Sequence, residues 1–232
     1  MLVYQGIKES FIEDVNLGII ADKIREKYIE FIHKKPSTPE FNSWKNSMQY
    51  MRGVLDDNDI PNNVGIAIEY NIPPTGSRID FMMTGYSSKN SHEVIIVELK
   101  QWDEKVDGVY KVNTYTGGGL RDVNHPSYQA MTYANLIRDY NANVEDKKIN
   151  IRPCAYLHNY YFEENDPLLK KQYKEYIKEA PLFAHNDVLK LRNFIKKYIE
   201  IGDDKEILYE IENGRIRPSK MLQDALGSML KE

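Results

Sequence analysis

The order of apolar patterns along the chain predicts an α/β domain with helical flanks. Two observations carry that expectation. Residues 64–70 and 78–84 alternate apolar and polar side chains, and residues 93–99 form a nearly continuous apolar run. Alternation marks a strand with one covered face, and an unbroken apolar run marks a central strand covered on both faces. Segments with helical spacing lie before, between and after these strands.

Phe11, Val15, Ile19, Ile20, Ile24, Tyr28 and Phe31 recur at helical spacing and predict one amphipathic helix over 10–33. Residues 34–39 break it. Thr38 is expected to cap a second helix, with Pro39 at its first position and Trp44, Met48, Met51 and Leu55 on one face to about Asp57. Strands follow at 64–70 and 78–84, joined by the turn residues Pro73, Pro74 and Gly76. In the second strand Ile79, Phe81 and Met83 are expected on one side, and Arg78, Asp80 and Met82 on the other. A polar loop over 85–91 leads into the third strand, 93–99. Residues 103–124 are expected as a long loop containing Gly117, Gly118 and Gly119. Pro126 opens a helix to about Tyr140, and 149–157 reads as a fourth strand. The rest is expected to be mostly helical. Asn186 or Asp187 caps one helix that Gly202 ends, and Ser219 caps a last one with Leu222, Leu226 and Met229. The Tyr-rich stretch 160–176 is expected to pack or face solvent rather than to stack bases. The order is α-α-β-β-β-α-β and then helices, with no dividing linker: one domain over 1–232, comprising a helical extension (1–39), a core (40–160) and a mostly helical extension (161–232).

Composition narrows the function classes. The chain has 232 residues, 41% of them apolar and 28% charged, which fits a globular domain and argues against disorder. No run approaches the roughly 20 apolar residues of a membrane helix. Lys8, Glu9, Glu13 and Asp14 stand where a signal peptide needs apolar residues, so secretion is not expected. Cys154 is the only cysteine, which excludes an internal disulfide and a Cys/His zinc spacing, and a reducing, cytoplasmic setting fits. A net charge of −4 argues against a protein that coats nucleic acid by bulk charge, but it leaves room for an acidic active site.

The chemistry concentrates in three residues. Glu98 and Lys100 end the third strand two apart, so they share a face. If the second and third strands form a hairpin, Asp80 lies beside Glu98. Two adjacent carboxylates repel unless a cation sits between them, and hard oxygen donors suit Mg²⁺ or Mn²⁺. Such an ion lowers the pKa of a bound water and stabilises charge on a phosphate. Lys100 is placed to orient the water or offset phosphate charge. A Glu-x-Lys at a strand end is ordinary surface chemistry by itself; the upstream Asp, the apolar strand and the following helix raise its significance.

Asp80 followed by Glu98-Leu99-Lys100 resembles the signature of the PD-(D/E)xK nuclease superfamily over roughly residues 40–160, with Ile79 where the signature has proline. The resemblance implies a restriction-endonuclease-like core, α-β-β-β-α-β around a mixed central sheet. It also implies Asp80, Glu98 and the Leu99 backbone carbonyl as ligands of Mg or Mn, and Lys100 as the residue that assists the attacking water. Gln129 and Tyr133, four apart on one helix face, resemble the Gln-x-x-x-Tyr motif of the RecB-like and Cas4-like branch. There the motif contacts nucleic acid or supports the catalytic centre, which implies Gln129 as a supporting residue and Tyr133 as an accessory one; Tyr133 also suits core packing. Glu69 and Glu40 are candidates for an accessory acid; at Glu40 the helix dipole alone explains a carboxylate. Lys111, Tyr115, Arg121 and His125 are candidate nucleic-acid contacts, although His125 also suits a helix cap. His158 is equally open to either role.

Stretches such as Arg78-Ile79-Asp80-Phe81, Glu98-Leu99-Lys100-Gln101-Trp102 and His125-Pro126-Ser127-Tyr128-Gln129 resemble the N-terminal region of DUF2075 proteins, in which a nuclease-like domain precedes a Schlafen-type helicase. Arg217-Pro218-Ser219-Lys220 resembles the junction before that helicase. No Gly here is followed by Lys, so a Walker A loop is absent from these residues. The resemblance implies a helicase/ATPase partner in cis or in trans, DNA rather than RNA as substrate, and a role in DNA processing or defence; related nucleases often form homodimers. The alternative reading is a non-cleaving nucleic-acid-binding or helicase-docking module on the same fold.

Overall fold

The computed structural model describes residues 2–73, 75–102, 112–116 and 119–218. A six-stranded mixed sheet runs through the centre in the order β1-β2-β3-β4-β7-β8. Its strands are β1 (Tyr4–Ile7), β2 (Gly65–Ile72), β3 (Ser77–Tyr86), β4 (His92–Lys100), β7 (Asn150–Leu157) and β8 (Leu182–Ala184). The first four are mutually antiparallel, and β4, β7 and β8 are parallel. A separate hairpin pairs β5 (Val112–Thr116) with β6 (Gly119–Val123).

Helices cover both faces. On one side α1 (Lys8–Asn16), α2 (Ile20–Ile32), α3 (Thr38–Leu55) and α7 (Val188–Tyr198) bury Phe11, Ile24, Met48 and Leu191 against Ile66, Phe81, Ile95 and Val97. On the other, α4 (Pro126–Tyr140), α5 (Ala142–Asp146) and α8 (Glu206–Glu212) bury Ala134, Ile137, Val144 and Ile207 against Ala67, Met82, Val94 and Ile96. The short α6 (Lys174–Glu179) lies beside α4. β4 contributes to both clusters, as its continuous apolar run requires.

Several expectations shift. The helix expected over 10–33 is two, because Gly18 adopts φ +72 and ends α1 in a left-handed turn. Ser37, not Thr38, caps α3: its Oγ accepts from the Glu40 N–H at 3.3 Å. The expected loop 103–124 contains the β5–β6 hairpin, while residues 103–111, 117 and 118 lie outside the described residues. β1 and β8 were not expected. At four and three residues they are too short to show a period, yet they supply both edges of the sheet. α7 stops at Tyr198, before Gly202. The helix expected after Ser219 lies outside the described residues.

The most consequential difference is in β3. Phe81 and Met83 join the α1–α3 cluster, but Ile79 joins the α4 cluster with Met82. The alternation therefore breaks at Asp80. β2 breaks opposite it: Ile66 and Ile68 face α1–α3, whereas Tyr70 and Ile72 face the other cluster. Pairing runs Ile68↔Phe81 and then Tyr70↔Ile79, passing over Glu69 and Asp80. Glu69 has φ +57, a left-handed conformation that side-chain-bearing residues rarely adopt. The two strands turn over together, the register survives, and both carboxylates are released from the ladder.

Candidate functional site

β3 and β4 form the expected hairpin. Phe81 pairs with Val97, and one step further the Asp80 carboxylate accepts the Leu99 N–H through Oδ2 at 2.8 Å. Asp80 and Glu98 are thereby brought together where β2 and β3 turn over. Glu98 is 1% exposed, and Lys100 bonds its Oε1 at 2.6 Å. Lys100 Nζ also donates to Gln129 Oε1 at 3.1 Å, and Gln129 Nε2 donates to the Tyr133 hydroxyl at 2.8 Å. α4 supplies both residues one turn apart, so the Gln/Tyr pair orients the lysine from the opposite layer. The Lys100 ammonium has a third proton for a further acceptor.

Glu98 Oε2 is buried and has no hydrogen-bond partner. A buried carboxylate oxygen left bare costs about 1–3 kcal/mol or more. Burial, followed by the Asp80 charge, pushes the Glu98 carboxyl up to about 8 despite Lys100. Burial likewise raises the Asp80 carboxyl above its ordinary range, against the pull of Lys100 and Arg78. Burial opposes the Lys100 ammonium, yet Glu98 and Asp80 outweigh it and hold its pKa above the usual value. Burial therefore dominates at the two carboxyls, whereas at Lys100 the neighbouring carboxylates dominate.

Glu69 and Glu40 sit beside this pair. Glu69, 7% exposed, accepts the Trp44 Nε1–H through Oε1 at 2.8 Å. Its Oε2 lies 2.9 Å from Arg78 Nη1, an ion pair without hydrogen-bond alignment. Burial and the Asp80 charge push Glu69 up to about 7. Glu40 reaches the other end of the same guanidinium, 2.9 Å from Arg78 Nη2. Sequence reasoning did not single out Arg78 or Trp44 for a role; their signal is their spacing from Asp80 and Glu40.

The β4 terminus is anchored on the α3 side. Gln101 Nε2 donates to Ser43 Oγ at 2.7 Å and Ser47 Oγ at 3.0 Å, and Ser47 Oγ lies 3.0 Å from His158 Nε2. His158 is fully buried and donates its backbone N–H to the Lys100 carbonyl at 3.2 Å. Trp102 packs 6.0 Å from Lys100 Nζ. His125, by contrast, is a cap. It is 3% exposed, its Nδ1 accepts the Ser127 N–H, and its Nε2 lies 3.0 Å from the Leu168 carbonyl. Both ring nitrogens are engaged inside the fold, so the helix-capping reading is the one its geometry supports. Lys111 lies outside the described residues. Tyr115 falls on β5 and Arg121 on β6, where the backbone alone is described.

Among the described residues no three His, Cys, Asp or Glu side chains gather into a ready-made metal cage. Mg²⁺ does not need one: it is commonly held by one or two carboxylates, with water and substrate phosphate completing its shell. The buried Glu98 oxygen without a hydrogen bond, on the strand next to Asp80, fits that mode. No helix of the described residues is long and apolar enough to cross a membrane.

The fold and site define a three-layer α/β protein with a buried carboxylate–lysine cluster at one end of its sheet. Comparison with protein-family models, curated proteins and solved structures yields no match.

Proposed function

We propose that the chain is a metal-dependent nuclease domain on a restriction-endonuclease-like core, of the PD-(D/E)xK type, that hydrolyses phosphodiester bonds in nucleic acid, DNA in preference to RNA. The observation that carries the reading is the Glu98 carboxylate: buried, with Lys100 on one oxygen, nothing on the other, and Asp80 beside it. A polar oxygen kept bare at such a cost is explained by a ligand that occupies it in the working state. Asp80, Glu98 and the Leu99 carbonyl would hold Mg²⁺ or Mn²⁺. The ion supplies a water of lowered pKa and stabilises charge on the phosphate.

In hydrolysis a water oxygen bonds to phosphorus and gives up a proton to solvent, the bond from phosphorus to one sugar oxygen breaks, and that oxygen leaves as a hydroxyl by taking a proton from solvent. Lys100, held by Glu98 and Gln129, directs its remaining N–H toward that water or a phosphate oxygen. Gln129, itself fixed by Tyr133, keeps the ammonium in place. The Gln101–Ser47–His158 anchor holds the strand that carries the lysine. Association with a helicase/ATPase, in cis or in trans, rests on the sequence resemblance.

The test is Mn²⁺ calorimetry on the wild type and on Asp80→Ala/Glu98→Ala, with cleavage of single- and double-stranded DNA followed in parallel. Wild type is expected to bind and cut, and the double variant to do neither while keeping its circular dichroism. Equal cleavage by wild type and Asp80→Ala would overturn the assignment.

A further inference from the structure

We propose that Arg78 acts as a built-in second cation, tying up Glu69 and Glu40 so that the Asp80–Glu98 site takes one divalent ion and not two. The inference rests on the metal reading above and concerns the number of ions.

Glu69 and Asp80 are the two residues the β2–β3 pairing passes over, and Asp80 lies beside Glu98 across the β3–β4 hairpin. Clustered carboxylates are the usual setting for paired divalent ions that clamp both the attacking and the leaving oxygen. Here the third carboxylate is already engaged at both oxygens, by the Trp44 indole N–H at 2.8 Å and by Arg78 Nη1 at 2.9 Å. Arg78 is itself held in place. Nη2 bonds Glu40 at 2.9 Å, and the guanidinium carbon lies 5.4 Å from the centre of the Tyr28 ring. The backbone adds to this restraint, because the left-handed conformation at Glu69 fixes where its side chain begins.

Glu40 and Glu69 face Arg78, and Glu98 faces Lys100. Among the carboxylate oxygens of this cluster the buried one without a hydrogen bond is Glu98 Oε2, whereas Glu69 Oε1 accepts the Trp44 N–H and Glu69 Oε2 is ion-paired with Arg78. The one opening for an ion is therefore between Asp80 and Glu98. Removing the guanidinium would leave Glu69 and Glu40 with no cation between them, which opens a place for a second ion.

The experiment counts Mn²⁺ ions by calorimetry on the chelator-stripped full chain. Wild type is expected to bind one ion, Arg78→Met two, and Arg78→Met/Glu69→Gln one again. Glu69→Gln alone is expected to keep one ion, with affinity within about twofold of wild type, because Glu69 is not a ligand while Arg78 holds it. Trp44 fluorescence in a Trp102→Phe background gives a separate readout: Mn²⁺ should perturb it more in Arg78→Met than in the arginine-bearing chain. Two ions in wild type, one ion in a folded Arg78→Met, or a tenfold loss of affinity in Glu69→Gln would each overturn the inference. No ion in wild type would overturn the metal reading beneath it. Should Arg78→Met fail to fold, Glu69→Gln and the wild-type count still decide the matter.

Discussion

Asp80 holds its carboxylate where burial disfavours the charge. Its carboxylate sits in protein beside Glu98 and Glu69, and burial raises its pKa. Asparagine keeps an oxygen to accept the Leu99 N–H while removing the charge. Asp80→Asn is therefore expected to stabilise the metal-free protein by about 1 kcal/mol, or roughly 2–4 °C in melting temperature for a chain of this size. The lost attraction to Lys100 and Arg78 limits the gain. Cleavage should vanish in the same variant. Differential scanning calorimetry in chelator checks the prediction, and a melting point below wild type would contradict it. At this scale much of the candidate site was legible: Asp80, Glu98 and Lys100 converge as strand spacing implied, and Gln129 joins them as the family resemblance implied. Arg78's grip on Glu69 was not, because a regular strand would put Glu69 in the ladder, and its left-handed backbone carries no mark in the neighbouring residues.

The elements that deliver these residues differ in how plainly the sequence announces them. α4 runs from Pro126 to Tyr140 as expected, because His125-Pro126 is a local start signal and local signals need no tertiary context. β1 and β8 escaped notice because strands of three or four residues exist through their pairing partners, not their own period. The α4 cap also carries a pH dependence. Burial depresses the His125 pKa to about 4, against about 6.5 when unfolded. Between those values the unfolded chain binds the extra proton, so stability rises with pH there. Its contribution is complete above about pH 6.5, and on the order of 3 kcal/mol is lost as pH falls to about 4. His125→Asn, which retains a capping side chain, should be less stable at pH 7 because it loses the ring stacked 4.3 Å from Tyr173. It should also lose less on acidification. Urea denaturation at pH 7 and pH 4.5 tests this, and an acid slope equal to wild type would refute it.

Across the whole molecule the site lies where the layers are least continuous. β2 and β3 turn over at Glu69 and Asp80, α3 reaches in from one side through Trp44 and Glu40, and α4 reaches in from the other through Gln129. A sheet with unbroken alternation would bury Glu69 and Asp80 among apolar neighbours or expose them. The turnover instead gives them a polar enclosure between two apolar clusters. One-dimensional periodicity identifies the strands but cannot report that two of them invert together, since Ile79 is apolar and fits either face. On the metal reading proposed above, binding would stabilise the entire fold: an ion that relieves the Asp80–Glu98 repulsion would bind the native state and not the unfolded chain. At a hundredfold excess over Kd, such an ion adds about 2.7 kcal/mol. At about 2–4 °C per kcal/mol, Mn²⁺ should raise the wild-type melting temperature by roughly 5–10 °C. Asp80→Asn should start higher in chelator and gain almost nothing from Mn²⁺, so the two melting curves should exchange order as the ion is added. If both proteins shift equally, the ion is acting elsewhere on the molecule. If neither shifts while calorimetry records binding, the site is not coupled to the sheet around it.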